Sequence, residues 1–169
     1  MGEEADFDGF VHASAPRLLR TAAMLMGGRD HAEDLVQAAL ERTWLHWRAA
    51  DASPYAYTRR VMVNLATDWW RGRRFKESPL GDWDEPDPGP DPAQAQADRD
   101  LALRVLRELT AKERAVIVLR YVEDLSEGQI AEILGVAPGT VKSTASRALK
   151  RLRGSTHVRS EASSAEYPR

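Results

Sequence analysis

Three observations on this 169-residue chain predict an all-α fold in two small helical domains, the C-terminal one containing a helix-turn-helix. Apolar residues recur at helical spacing on both sides of the chain's middle, and no run shows sustained β alternation. Ser126 with Gln129, then Gly135 and Pro138, mark two short helices joined by a tight turn. Between the two helical parts, five of the nine prolines (Pro79, Pro86, Pro88, Pro90, Pro92) fall in residues 77–92, where apolar residues are few. Such a stretch buries too little surface to offset its ordering entropy, which predicts a flexible acidic linker. The expected divisions are 5–75 for the first domain, 76–94 for the linker and 95–153 for the second domain. Residues 154–169, polar and aperiodic, are expected to be a disordered tail.

The elements follow in order. Phe7 to about Met26 carries Phe10, Val11, Leu18, Leu19 and Ala22 and predicts one or two helices. Asp30 and Glu33 stand in capping-box spacing and open a helix through Trp47, with Leu35, Ala39, Trp44 and Trp47 facing inward. Ser53-Pro54 opens another, running through Val61, Leu65 and Trp69 to about Gly72. Beyond the linker come a helix over about 95–109 and one capped by Thr110 with Glu113. In the hairpin that follows, Ser126 and Gln129 start a helix at Glu127, and Ile130, Ile133 and Leu134 give it one apolar face. Gly135 can take the left-handed conformation that ends it, and Pro138 suits the first turn of the next. In that last helix Val141, Ala145, Ala148 and Leu152 face inward. Thr140, Lys142, Ser143, Ser146, Arg147 and Lys150 face outward, the combination a major-groove helix needs: small bonding groups near its N-terminus, and cations for phosphates and guanine edges.

The formal net charge is only −2, but it is unevenly spread. Arg59, Arg60, Arg71, Arg73, Arg74 and Lys76 stand against Asp68 alone in residues 59–76. Residues 77–98 hold seven acids and no base, and residues 126–153 are basic again through Lys142, Arg147, Lys150, Arg151 and Arg153. Two basic surfaces flank an acidic tether, a pattern suited to nucleic acid. The chain has no cysteine, which removes disulfides, thiolate metal sites and cysteine nucleophiles together. His12, His31, His46 and His157 are scattered without metal-binding spacing, so neither a metal nor another cofactor is expected. GVAPGTVKS only superficially suggests a phosphate loop, because Val141 separates Gly-Thr from Lys-Ser and Pro138 opens a helix there. An enzyme is therefore not expected. No run is long and apolar enough to span a bilayer and the acidic N-terminus has no basic n-region, so the expected location is the cytoplasm.

The first domain adds two polar faces. In RRVMVNLATDWWRGRRFK (59–76), Asn64 and Asp68 share a helix face, with Arg71 a turn further on and Arg73 and Arg74 beyond. Amides and carboxylates can read unstacked base edges, and arginines can hold phosphates. Spacing after Leu65 assigns Trp69 to the core and leaves Trp70 open between core and base stacking. In HAEDLVQAALERTWLHW (31–47), Asp34, Gln37 and Glu41 share an outward stripe. That stripe is useless against phosphate but suited to a basic protein partner.

AEDLVQAALERTW, NLATDWWRGRR, the acidic linker and LTAKERAVIVLRYVEDLSEGQIAEILGVAPGTVKSTASRALKRLR, in that order, resemble regions 2 and 4 of a bacterial extracytoplasmic-function (group IV) sigma factor. The resemblance covers about residues 7–153. It implies a polymerase subunit that confers promoter recognition, with Asp34, Gln37 and Glu41 docking on the clamp coiled coil of the largest subunit. Asn64 and Asp68 would read and help open the −10 element, with Arg71, Arg73 and Arg74 on the backbone. Thr140 to Lys150 would enter the major groove of the −35 element, while the outer helices of that domain meet the flap of the second-largest subunit. Both double-stranded and opened promoter DNA are thus implied partners, and an anti-sigma protein is a further one. Ala38 stands where the family often carries an acid, which implies docking that either leans more on Asp34 and Glu41 or is weaker. The alternative is a dimeric helix-turn-helix regulator acting without polymerase, although no strong apolar dimer helix is visible.

Overall fold

The computed structural model describes residues 2–50, 52–73 and 93–155. Arg74 and nearly all of the expected linker and tail lie outside them. Among the described residues there are eight helices and no strand: α1 (Gly2–Met26), α2 (Ala32–Leu45), the one-turn α3 (Trp47–Ala50), α4 (Pro54–Arg73), α5 (Ala93–Arg107), α6 (Ala111–Tyr121), α7 (Glu127–Leu134) and α8 (Pro138–Gly154). None is long and apolar enough to cross a membrane.

α1 is one helix and runs straight through Pro16. An interior proline costs about 3 kcal/mol, and burial of Leu18, Ala22 and Leu25 against the neighbouring helices offsets it. The helix closes at Gly27, whose φ of 71° lets Gly28 N–H reach back to Ala23 O at 2.7 Å. That closure leads directly into a turn in which Ala32 N–H bonds Arg29 O. The turn corrects the expected start of α2. His31, not Asp30, precedes the helix, and no side chain caps it. α2 also stops at Leu45 rather than continuing through Trp47, because His46 leaves helical geometry.

Leu35 and Ala39 are buried in α2 as expected, but Trp44 is 41 % exposed. Its ring packs instead at the molecule's edge, 5.0 Å from Phe7, while Trp47 sits edge-on to Phe7 at 5.1 Å. Between α2 and α4 the fully buried hydroxyls of Thr43 and Thr58 lie 2.9 Å apart, each also within reach of its own i−4 carbonyl. In α4 the most buried residues are Thr58, Met62, Val63 and Ala66. The expected stripe of Val61, Leu65 and Trp69 is only half-buried. A helix touched by α1, α2, α6 and α7 has a buried face broader than one stripe, and these three flank it.

The second group of helices follows the sequence closely. Thr110 and Glu113 form a complete capping box on α6, as do Ser126 and Gln129 on α7. Gly135 ends α7 in the left-handed conformation (φ 63°), and Pro138 opens α8. Val141, Ala145 and Ala148 are buried with Ile130 of α7 and Val116 to Leu119 of α6.

The two groups of helices also pack on each other. α5 and α6 pack on α1, and α6 and α7 pack on α4. The buried apolar residues of both groups form a single continuous cluster.

Candidate nucleic-acid interface

α8 presents Lys142, Ser143, Ser146, Arg147 and Lys150 to solvent, with Thr140 half-buried at the edge. Burial of Val141, Thr144, Ala145 and Ala148 fixes this orientation, since residues three and four apart share a helix face. Ser143 Oγ donates to Thr140 O at 3.1 Å, and Arg147 donates to Thr144 Oγ1 at 3.2 Å. Among the described residues Lys142 and Lys150 have no carboxylate partner, and both are exposed. The helix is held at its C-terminal end. Arg151 lies 3.4 Å from Glu113, the carboxylate that also closes the α6 capping box, and Ser155 Oγ donates to Glu108 at 2.7 Å.

α4 places Asn64, Asp68 and Arg71 on one exposed face. Arg71 pairs with Asp68 one turn back at 3.6 Å, an exposed contact that screening makes weak. Arg73 ends α4, and its side chain and Arg74 fall outside the described residues. Trp69 packs at a tilt against His31 and stands edge-on to Trp70, each at 4.9 Å. Trp70 is half-buried and carries the Arg114 guanidinium over its ring at 5.0 Å, so that face is already occupied. Its indole N–H is buried without a partner among the described residues.

On α2, Asp34, Gln37 and Glu41 are all exposed on one stripe, and Gln37 donates to Glu41 at 3.2 Å. Exposed Leu45, at 76 %, prolongs that stripe by one turn.

Sequence reasoning missed two charged groups at the junction of the helical groups. Glu123, in the loop after α6, has a fully buried carboxylate. It accepts from Thr21 at 2.6 Å and Tyr55 at 2.7 Å, and it pairs with Arg17 at 2.9 Å and Arg59 at 3.3 Å. Burial alone would raise its pKa, but the bonds from Thr21 and Tyr55 and the charge of Arg17 hold it below the ordinary value. Burial and the bond to Glu123 push the Tyr55 phenol up to about 12. Arg114 is buried without a carboxylate partner among the described residues. It donates instead to the carbonyls of Leu106, Leu25 and Leu109 at 2.9, 3.1 and 3.0 Å. Burial, then the neighbouring charge of Arg107, pulls its pKa down to about 10, and it stays cationic at neutral pH. Arg107 reaches Gly27 O at 2.7 Å. In the sequence Arg114 and Glu123 are ordinary charges on either side of the apolar run 115–119.

The result is a cleft of about 630 Å³ between the two groups. Asn64, Asp68 and Arg71 form one wall, and Thr110, Lys112 and Gly135 belong to the other. Among the described residues no cluster of side chains suits a metal ion.

Comparison with known proteins gives a consistent picture. Residues 10–76 match the family pattern described as Sigma-70 region 2, and residues 99–152 match Sigma-70, region 4. The chain is 43 % identical over 155 residues to an RNA polymerase sigma-E factor of Streptomyces coelicolor, covering 90 % of this chain and 87 % of that one. It is 38 % identical over 148 residues to the ECF RNA polymerase sigma factor SigL of Mycobacterium tuberculosis, covering 80 % of each. Among solved structures it resembles the sigma factor RpoE of Bartonella quintana, crystallised in complex with the anti-sigma factor NepR. The TM-score is 0.64 and the identity 26 %, over 88 % of this chain and 95 % of that one.

Proposed function

This chain belongs to the extracytoplasmic-function group of the sigma-70 family of RNA polymerase sigma factors, and from that premise we propose which of its residues carry each part of the work. As a sigma factor it directs promoter recognition and transcription initiation with RNA polymerase. Two matched regions in order leave no room for the dimeric regulator that a lone helix-turn-helix had kept open.

α8 enters the major groove of the −35 element, with Lys142, Arg147 and Lys150 on phosphates and guanine edges and Thr140, Ser143 and Ser146 making the shorter bonds. α4 reads the −10 element through Asn64 and Asp68, with Arg71, Arg73 and Arg74 on the backbone of the opened strand. Asp34, Gln37 and Glu41 dock on the clamp coiled coil of the largest polymerase subunit, and the outer helices of the second domain meet the flap of the second-largest. The protein acts in the cytoplasm and makes or breaks no covalent bond. Binding energy spread over two DNA elements and polymerase stabilises opened duplex, and tethering raises the effective concentration of each weak contact. By its likeness to the Bartonella protein, we count an anti-sigma protein among its partners.

The observation that carries this reading is the exposed basic and hydroxyl face of α8 within a matched region 4. Run-off transcription on a library of genomic promoter fragments, using bacterial core polymerase with and without the chain, tests it. Transcripts that require the chain and share two spaced upstream elements are expected. Absence of such transcripts, together with failure to bind core polymerase, would return the dimeric regulator to consideration.

A further inference from the structure

We infer that region 2 of this chain carries a phosphate-binding cradle of Arg17, Thr21, Tyr55 and Arg59, in which a backbone phosphate of the promoter takes the place that Glu123 holds in this structure. The inference rests on the reading that α4 contacts promoter DNA.

The cradle is defined by the anion it already holds. Thr21 and Tyr55 donate their hydroxyls to Glu123 Oε1 at 2.6 and 2.7 Å, and Arg17 and Arg59 donate to Oε2 at 2.9 and 3.3 Å. Two cations and two hydroxyls converging on one anion form the kind of donor set that holds a phosphate. They keep Glu123 ionised in spite of its burial. A carboxylate does not use the whole set, because Arg59 Nε is buried without a partner among the described residues. The oxygens of a carboxylate lie in one plane. Those of a phosphodiester are tetrahedral and can reach this remaining donor as one arm of a bidentate guanidinium pair.

The donors stay grouped without Glu123, because all four lie in the matched region 2. The Tyr55 ring lies under both guanidinium groups, 4.3 Å from Arg17 Cζ and 5.7 Å from Arg59 Cζ. Thr21 is buried in α1, where its neighbours Leu18 and Ala22 share one core with Met62 of α4. The place on α4 also fits. Arg59 lies five residues before Asn64, about 8 Å along the helix axis. Exposed Arg60 stands between the two around the helix. A strand whose bases meet Asn64 and Asp68 can therefore run its backbone past Arg60 to the cradle. Glu123 and a phosphate exclude each other there, so Glu123 stands in for the phosphate where DNA is absent.

Neutralising single phosphates tests the cradle directly. A promoter fragment selected by run-off transcription is made with one uncharged methylphosphonate at a time across and beside its −10 element. Binding by the full chain with core polymerase is then titrated. In the parent, one such position should lose affinity about tenfold. The double variant Arg17→Gln, Arg59→Gln should be insensitive at that position, and its salt slope should be shallower by about 0.7 to 0.9. Tyr55→Phe, which keeps the ring under both arginines, should lose a smaller share at the same position. Each protein is compared with itself on charged and neutral DNA, so a general loss of stability cannot imitate this pattern, and a free anion cannot produce it. The same positional profile and salt slope in parent and double variant would overturn the cradle. So would a double variant impaired only in binding core polymerase, which would assign the four donors to an acidic segment of polymerase. The reading beneath the inference fails separately: if Asn64→Ala and Asp68→Ala leave the preference among −10 sequences unchanged, α4 does not read that element.

Discussion

α4 and α8 carry the same kind of surface, a helix face of amides, hydroxyls and cations, yet they stand in different surroundings. The face of α8 opens to solvent, and the residues behind it are held by their own domain through Val141, Ala145 and Ala148. The face of α4 looks across a cleft at the other domain, and the tryptophan at its end lies under Arg114 of α6. One interface is built within about thirty residues of sequence, and the helix that carries the other is bonded through Tyr55 and Arg59 to Glu123, 68 and 64 residues away. A local DNA reader can therefore be ready in the free protein, while the remote one is tied to how the domains are arranged.

The largest expected effect strikes the α4 side. Arg114→Leu removes the donor from three buried carbonyls and the cation from Trp70, and it should cost about 3 kcal/mol, at roughly 1 kcal/mol for each orphaned group. Urea denaturation followed by tryptophan fluorescence measures it. A loss under about 1 kcal/mol would mean that water or backbone shifts replace the arginine, and that α4 depends less on region 4 than its contacts suggest. On the α8 side the expectation reverses. Arg147→Ala removes an exposed side chain whose one bond among the described residues is to Thr144, so stability should stay within about 0.5 kcal/mol of the parent. Affinity of the polymerase-bound chain for its −35 element should fall by about 1–3 kcal/mol if Arg147 reads a base. An equal loss on all sequences would assign it to phosphate instead.

Legibility in the sequence follows the same division. The helix-turn-helix was readable to the residue because its determinants are local: Ser126 and Gln129 bond each other's backbone, Gly135 takes positive φ, and Pro138 starts a helix. The outward sets on α2, α4 and α8 were readable too, since periodicity alone assigns faces. Periodicity did not tell Trp44 from a core residue, because a tryptophan at the end of a helix can be inward-spaced and still lie at the molecule's edge. It also placed the core stripe of α4 along the flank of the true one, because a helix covered on several sides has no single stripe. Glu123 and Arg114 were not legible at all. Each reads as an ordinary charge beside an apolar run, and what makes it structural is a set of carbonyls and hydroxyls brought together only by the closed arrangement.

The smallest expected effect concerns pH and separates the two sides most cleanly. Burial of Glu123 opposes the bonds and charges that favour its ionised form, so its pKa is lowered only by what remains of that competition. A carboxylate with a folded pKa below its unfolded one contributes stability that is full above the unfolded value, near pH 4.5. That contribution is lost as pH falls through the lower, folded value. Tyr55 acts at the other extreme. Its folded pKa of about 12 exceeds the unfolded 10, so the bond it donates is fully stabilising below pH 10 and is lost as pH rises through 12. Between these limits the junction should be indifferent to pH, and the exposed face of α8 contributes neither step. Stability measured from pH 3 to 6 should therefore rise with pH in the parent chain and rise less in Glu123→Gln, while Arg147→Ala keeps the parent's slope. Equal slopes in all three proteins would remove Glu123 from the acid response and leave the junction held by packing and by Arg107 and Arg114 on the carbonyls that end α1.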